Sequence, residues 1–255
     1  MEGAPDDAAA RKEALDRWAA EQQRRVLLNR WAAERTRARV RWRTRLRAAE
    51  LKLANRLERF GSRVLDQRLD TSGYTTEPEH QHPDRTRYVP SPWHVLPRAL
   101  RYLGVSDDDV FVDFGCGKGR VVHQAAKRPF RRVIGVEISP GLAEIARAGL
   151  AAGRRHHRCR DVEIVVSDAT EYRVPDDLTI AYLYRPFQGA TFDAVLGAIV
   201  DSIDRHPRRV RLIYVYPPKS ARSEILATGR FRILQEQQTR LLDTYVSRAV
   251  IFESC

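Results

Sequence analysis

Asp113, Glu137 and Asp168 stand about one strand-and-helix unit apart, and each closes an apolar, β-favouring run: DVFVD, RVIGVE and VEIVVSD. A carboxylate is an acceptor with several lone-pair sites, so three of them suit a ligand rich in hydroxyl or amino donors. Between the first two lies GCGKG, with Gly115, Gly117 and Gly119 at every second position. Glycines there remove side chains where backbone and ligand must meet, and they permit the positive φ of a tight turn. The residue types therefore describe a binding cradle more clearly than a proton-transfer device. Candidate bases are Tyr88, His94, His123 and Tyr184. His123 sits inside the apolar segment VVHQAAK and reads as structural. Cys116, between two loop glycines, reads as a small filler. The run YLYRPF supplies Tyr184, Arg185 and Phe187 at another strand end.

The elements that must position these residues follow from the hydrophobic pattern. Helices are expected near 93–103, 118–128, 140–151, 189–204 and 219–228. Strands are expected at 109–114, 132–138, 162–167, 178–184, 209–216, 230–236 and 245–253. The central strands are nearly continuously apolar, as strands buried on both faces must be. Strand–helix alternation implies an α/β fold: a doubly wound, mostly parallel seven-stranded sheet. The last two strands have no helix between them, which implies an antiparallel edge hairpin. In such a sheet ligands lie at the carboxyl ends of the strands, where strand order reverses. Ser139 before Pro140 forms a helix cap and first turn.

Residues 1–60 form a different region. They hold 16 Lys/Arg against 9 Asp/Glu, within a chain of formal net charge +12. Their composition favours a basic helical extension, with an apolar stripe through Leu28, Trp31, Trp42, Leu46 and Leu53. The extension could pack on the domain, pair two copies as a homodimer, or meet a polyanion or an acidic peptide. Residues 61–92 read as a linker or lid, and 93–255 as the main domain. His80 and His82 read as part of a solvated loop, so no metal is expected. Three cysteines without a CxxC spacing disfavour a disulfide framework or a zinc site. No run reaches membrane-spanning length and the N-terminus lacks a secretory apolar core, so a cytoplasmic protein is expected.

A dinucleotide loop requires G-x-G-x-x-G, and the third glycine position is Arg120 here. That argues against a dehydrogenase. The observed G-x-G-x-G after Asp113 resembles motif I of class I S-adenosylmethionine (SAM) methyltransferases. Over residues 86–255, DDDVFVDFGCGKGRVV followed by GVEISPGLAEIA is similar to the non-SET histone-lysine methyltransferases and their bacterial relatives. The resemblance implies SAM as cofactor. Glu137 would take the ribose hydroxyls and Asp168 the adenine amino group, with Ile138 or Ala169 on the ring and Tyr88 in a segment closing over the site. It places Tyr184, Arg185 and Phe187 at the acceptor end, with Tyr184 and Arg185 as catalytic candidates. Relatives often carry Asn at the Arg185 position, and Arg185 has donors only. The implied function is methyl transfer to nitrogen or oxygen of a protein, a peptide or a small biosynthetic intermediate. An RNA methyltransferase using the basic helix is the alternative. A non-catalytic scaffold of the same fold is the alternative from another class.

Overall fold

A computed structural model describes residues 21, 71, 83–241 and 244–255. The helical extension with its tryptophans, the pairing of two copies through it, and His80 and His82 lie outside the described residues.

The chain alternates as its apolar pattern requires. Helix α1 (Val95–Leu103) precedes β1 (Val110–Phe114), α2 (Arg120–Ala126) and β2 (Arg132–Glu137). Next come α3 (Pro140–Gly153), β3 (Asp161–Val166), β4 (Ile180–Leu183) and α4 (Gly189–Arg205). Then β5 (Arg211–Val215) and α5 (Lys219–Ala227) lead to β6 (Phe231–Leu241) and β7 (Thr244–Ser254). The seven strands form one sheet in the order β3-β2-β1-β4-β5-β7-β6. The first five are parallel, and β7 lies antiparallel between β5 and β6. The expected edge hairpin is therefore present, with its second strand turned inward.

Alternate residues feed the two faces of the sheet. Val112, Phe114, Ile134, Leu183 and Tyr214 pack on one side. Phe111, Val133, Ile180, Tyr182 and Ile213 pack on the other. Burial on both faces explains why the strands read as unbroken apolar runs. Strand order reverses between β1 and β4, so the loops leaving them part company and open a crevice at their carboxyl ends. The Ser139 cap forms as expected: its hydroxyl accepts from the Leu142 N–H at 3.4 Å, with Pro140 opening α3.

His123 is structural. It is buried, its Nδ1 lies 3.1 Å from Nε2 of His157, and its ring rests against Gly153. Burial, and then the charge of Lys127, push its pKa down to about 3. The unfolded chain binds a proton here below about 6.5, and the folded chain does so only near 3. Stability contributed at this site is thus intact above 6.5 and is lost as pH falls towards 3. Asp113 has the opposite sign, since its raised pKa makes folding less favourable as pH rises. Comparison with a His123→Gln variant cancels the Asp113 contribution. Between pH 7 and pH 5, wild type should lose about 2 kcal/mol relative to that variant, read from urea midpoints at each pH. Parallel pH profiles would refute the neutral, buried histidine.

Candidate active site

A cavity of about 890 Å³ opens at the carboxyl ends of β1 to β5. That size lies towards the upper end for small-molecule sites. Gly115 and Gly117 reach it from the β1 loop, Glu137 and Ile138 from β2, and Asp168 and Ala169 from beyond β3. Tyr184, Arg185 and Phe187 line it from the end of β4, and Tyr88 comes from upstream.

Two expected residues are not on its wall. Asp113 lies within β1, beneath the loop, and is 3% exposed. Burial, and then the nearby Glu137, raise its carboxyl well above the usual carboxylate range. Gly119 opens α2 and packs on α3, where an added Cβ would come 2.8 Å from that of Ala146.

The other two glycines make room for the protein's own segments. Gly115 has φ +76°, and a Cβ there would meet Pro186 at 2.5 Å. Gly117 has φ +53°, and a Cβ there would lie 2.3 Å from the Tyr88 ring. The turn needs positive φ, and the bare backbone lets Tyr88 and Pro186 press onto it.

Glu137 holds that turn. Its Oε2 accepts from the Gly117 N–H at 2.7 Å and its Oε1 from the Ser139 N–H at 3.0 Å. The side chain is buried, so it joins the glycine loop to the start of α3. Asp168 is equally engaged. Its Oδ1 accepts from the N–H and hydroxyl of Thr170, and its Oδ2 pairs with Arg85 at 2.5 Å.

Arg85 belongs to a strap within the segment read as a linker or lid, and its pairing with the chain after β4 is what sequence reasoning did not place. Residues 84–88 run antiparallel to the chain leaving β4, with Arg85 bridged to Phe187. The Thr86 N–H donates to the Pro186 carbonyl at 3.1 Å, and the Gln188 N–H to the Asp84 carbonyl at 2.7 Å. The Thr86 hydroxyl donates to the Arg185 carbonyl. Tyr88 ends the strap, its hydroxyl donating to the Thr71 carbonyl at 2.7 Å. No local pattern announces this pairing, because its partners are about a hundred residues apart.

Tyr216 was also missed. It follows β5, lines the cavity, and stacks near Tyr184 with ring centroids 6.0 Å apart. Its signal was its place at a strand end before Pro217 and Pro218. Arg185 and Tyr216 are the two non-glycine residues with positive φ among the described residues, at +45° and +53°. Such backbone costs of order 1–3 kcal/mol and collects at functional sites.

Of the remaining candidates, His94 bonds the Ser247 hydroxyl at 2.8 Å, and neither it nor His123 lines the cavity. Cys116 is buried beside Gly135, and burial pushes its thiol pKa up, as a filler requires. No group of three or more metal-ligating side chains occurs among the described residues.

Residues 111–208 match the family described as "Methyltransferase domain". That match spans 98 of the 255 residues and makes this stretch similar to a methyltransferase domain. A protein-lysine N-methyltransferase of Saccharolobus islandicus (strain REY15A) is 36% identical over 89 residues. That alignment covers 32% of this chain and 55% of the relative, so the chain spans about half the length of the curated relative it matches. The fold is similar to that of a candidate RNA methyltransferase from Pyrococcus horikoshii, with a TM-score of 0.51 and 16% identity. The superposition covers 75% of this chain and 92% of that one. An RNA methyltransferase from Salinibacter ruber, in complex with S-adenosyl-L-homocysteine, gives 0.46 at 21% identity, covering 65% and 94%. SAM is the cofactor of this class. The residues at hand fit it in kind: the Glu137 and Asp168 carboxylates border a cavity of nucleoside size beside the Gly115–Gly117 turn. Among the described residues, no helix is long and apolar enough to cross a membrane.

Proposed function

We propose that this protein is a SAM-dependent methyltransferase acting on a nitrogen or oxygen nucleophile of a protein, a peptide or a small molecule. The observation that carries the reading is the line of groups along the cavity: Asp168, Glu137, the Gly115–Gly117 turn, then Tyr184 and Tyr216. In strand order this runs β3, β2, β1, β4, β5. A nucleoside held at Glu137 and Asp168 directs its substituent past the glycine turn towards β4. Glu137 would accept from the ribose hydroxyls and Asp168 from the adenine amino group, with Ile138 and Ala169 on the ring. The cofactor, when bound, supplies a methyl group activated by a sulfonium. The chain's own contribution is positioning, which suffices for much of the rate of an in-line displacement. Tyr184 and Tyr216 would wall the acceptor, and the strap at 84–88 would limit water.

Calorimetric titration of the full chain with SAM and, separately, with a nicotinamide dinucleotide tests the reading. SAM should bind with micromolar affinity or better and the dinucleotide should give no heat. Heat with the dinucleotide alone would make the chain an oxidoreductase, and heat with neither would favour a scaffold.

A further inference from the structure

The β4 end of the cavity holds an arginine that forms no ion pair among the described residues. The Arg185 side chain is exposed at the cavity wall. Among the described residues its guanidinium makes no hydrogen bond or ion pair. Its neighbour on the strap differs in this respect, since Arg85 is paired with Asp168. The backbone at Arg185 is also held in a costly conformation. Its φ is +45°, and the Thr86 hydroxyl grips its carbonyl. An asparagine or glycine would adopt that φ at less cost. A strained arginine at the cavity wall, with no hydrogen bond or ion pair among the described residues, thus presents its guanidinium to a ligand, and a guanidinium recognises carboxylate or phosphate oxygens.

The surroundings have the same polarity. Helix α4 begins four residues later, and its first turn carries no acidic residue. Thr191, in that turn, brings a hydroxyl to the cavity wall. The positive end of a 17-residue helix thus lies at the same end of the cavity as Arg185. Tyr214, fully buried at the end of β5, carries a hydroxyl with no partner. The two carboxylates of the cavity, Glu137 and Asp168, lie towards β2 and β3, on the far side of the glycine turn. Asp168 is neutralised by Arg85 at the β3 end, whereas Arg185 at the β4 end has no carboxylate paired with it among the described residues.

Resting on the methyltransferase reading, we infer that the acceptor is a small organic acid, bearing a carboxylate or phosphate that Arg185 holds while the nucleophile faces the glycine turn. A protonated lysine side chain would meet a like charge at this end, and only its neutral form could enter. A polynucleotide is bound through many phosphate contacts along a basic track. Here one unpaired guanidinium stands inside a cavity roofed by the strap, which suits one anionic group on a small molecule.

The test uses the full chain loaded with S-adenosylhomocysteine, titrated with benzoate, with phenyl phosphate and with neutral benzamide. One of the two anions should bind about 10- to 100-fold tighter than benzamide, as expected for one charge-assisted hydrogen-bonded contact. Which anion wins distinguishes carboxylate from phosphate. Arg185→Gln should erase the difference and leave S-adenosylhomocysteine affinity within about twofold of wild type. Equal binding of all three probes, or none at all, overturns the inference. So does a preference that survives Arg185→Gln, or a variant that loses S-adenosylhomocysteine, since Arg185 would then hold the cofactor's own carboxylate. Tighter binding of a short oligoribonucleotide, lost in the variant, would place RNA there instead. Failure of wild type to bind S-adenosylhomocysteine would count against the methyltransferase reading, and the anion titrations repeated on the unloaded chain would still report on Arg185.

Discussion

Glu137→Ala should bind SAM at least about 100-fold more weakly than wild type in a calorimetric titration. Two losses combine. The carboxylate that would accept from the ribose disappears, and a hydrogen bond to a charged group is worth roughly 1.5–3 kcal/mol. The same oxygens hold the Gly117 and Ser139 N–H groups at 2.7 and 3.0 Å. Without them two buried donors lose their acceptors, and the turn at φ +53° loses its tie to α3. The variant should therefore also be less stable, by about 2–4 kcal/mol for two unsatisfied donors. Glu137→Gln separates the two contributions. Its amide oxygen can still accept from one N–H, while its NH2 faces the other as a second donor. Its stability should fall less than that of the alanine variant, while its SAM affinity still drops by tenfold or more. SAM affinity within threefold of wild type in a folded alanine variant would mean that the nucleoside does not lie against β2.

The strands and the glycine turn were legible in the sequence because their signals are local. Central strands buried on both faces give unbroken apolar runs, and Ser139-Pro140 marks a helix start within two residues. The reach of side chains was less legible, for reasons of geometry. Asp113 and Glu137 look equivalent as acidic strand endings. Glu137 is the last residue of β2, whereas Asp113 is followed by Phe114 within β1. That single step leaves Asp113 buried within β1, where burial raises its carboxyl well above the usual range. The glycine spacing suggested space reserved for a ligand. Much of that space is filled by Tyr88 and Pro186, whose approach depends on contacts between distant parts of the chain. The same holds for Arg85 and Asp168, 83 residues apart. The acidic ending of β3 was visible, but nothing local names its partner.

Those distant contacts give the cavity a particular energetic design. Its floor is the sheet, whose strands are fully buried and resist deformation. Its roof is the strap, held by backbone hydrogen bonds to residues 186 and 188, by the Thr86 and Tyr88 hydroxyls and by the partly exposed Arg85–Asp168 ion pair. An ion pair of that exposure contributes about 1 kcal/mol or less. The strained residues, Arg185 and Tyr216, stand where roof and floor meet, and the surrounding hydrogen bonds hold them there. Tyr216 is kept in register by its N–H, which donates to the Arg248 carbonyl at 2.8 Å.

Arg120→Met should destabilise the fold by about 3–5 kcal/mol, the largest stability loss expected from a single side chain near the cavity. Arg120 first appears as the residue that spoils a dinucleotide loop, and in the fold it pins the approach to the site. Its guanidinium is buried, with Nε donating to the Thr71 hydroxyl at 3.0 Å and NH1 to the Ser91 carbonyl at 3.0 Å. NH2 lies 3.3 Å from the Thr71 carbonyl, which also accepts from Tyr88, and the group sits 4.8 Å from the centre of the Trp93 ring. One cation thus ties the start of α2 to two upstream segments on either side of the strap. Methionine keeps most of the stem but none of the donors, so the buried acceptors at Thr71 and Ser91 lose their charged partner. Lysine keeps the charge without the planar fork and cannot reach all three acceptors. It should fall between methionine and wild type. Urea unfolding gives the comparison, with an unchanged dependence on denaturant marking a loss of stability rather than a change in compactness. SAM affinity measured on the same variants, at a temperature where both stay folded, should fall by roughly tenfold as Tyr88 loses its fixed seat on Gly117. A methionine variant within 1 kcal/mol of wild type would show that the upstream segments are held by something other than Arg120.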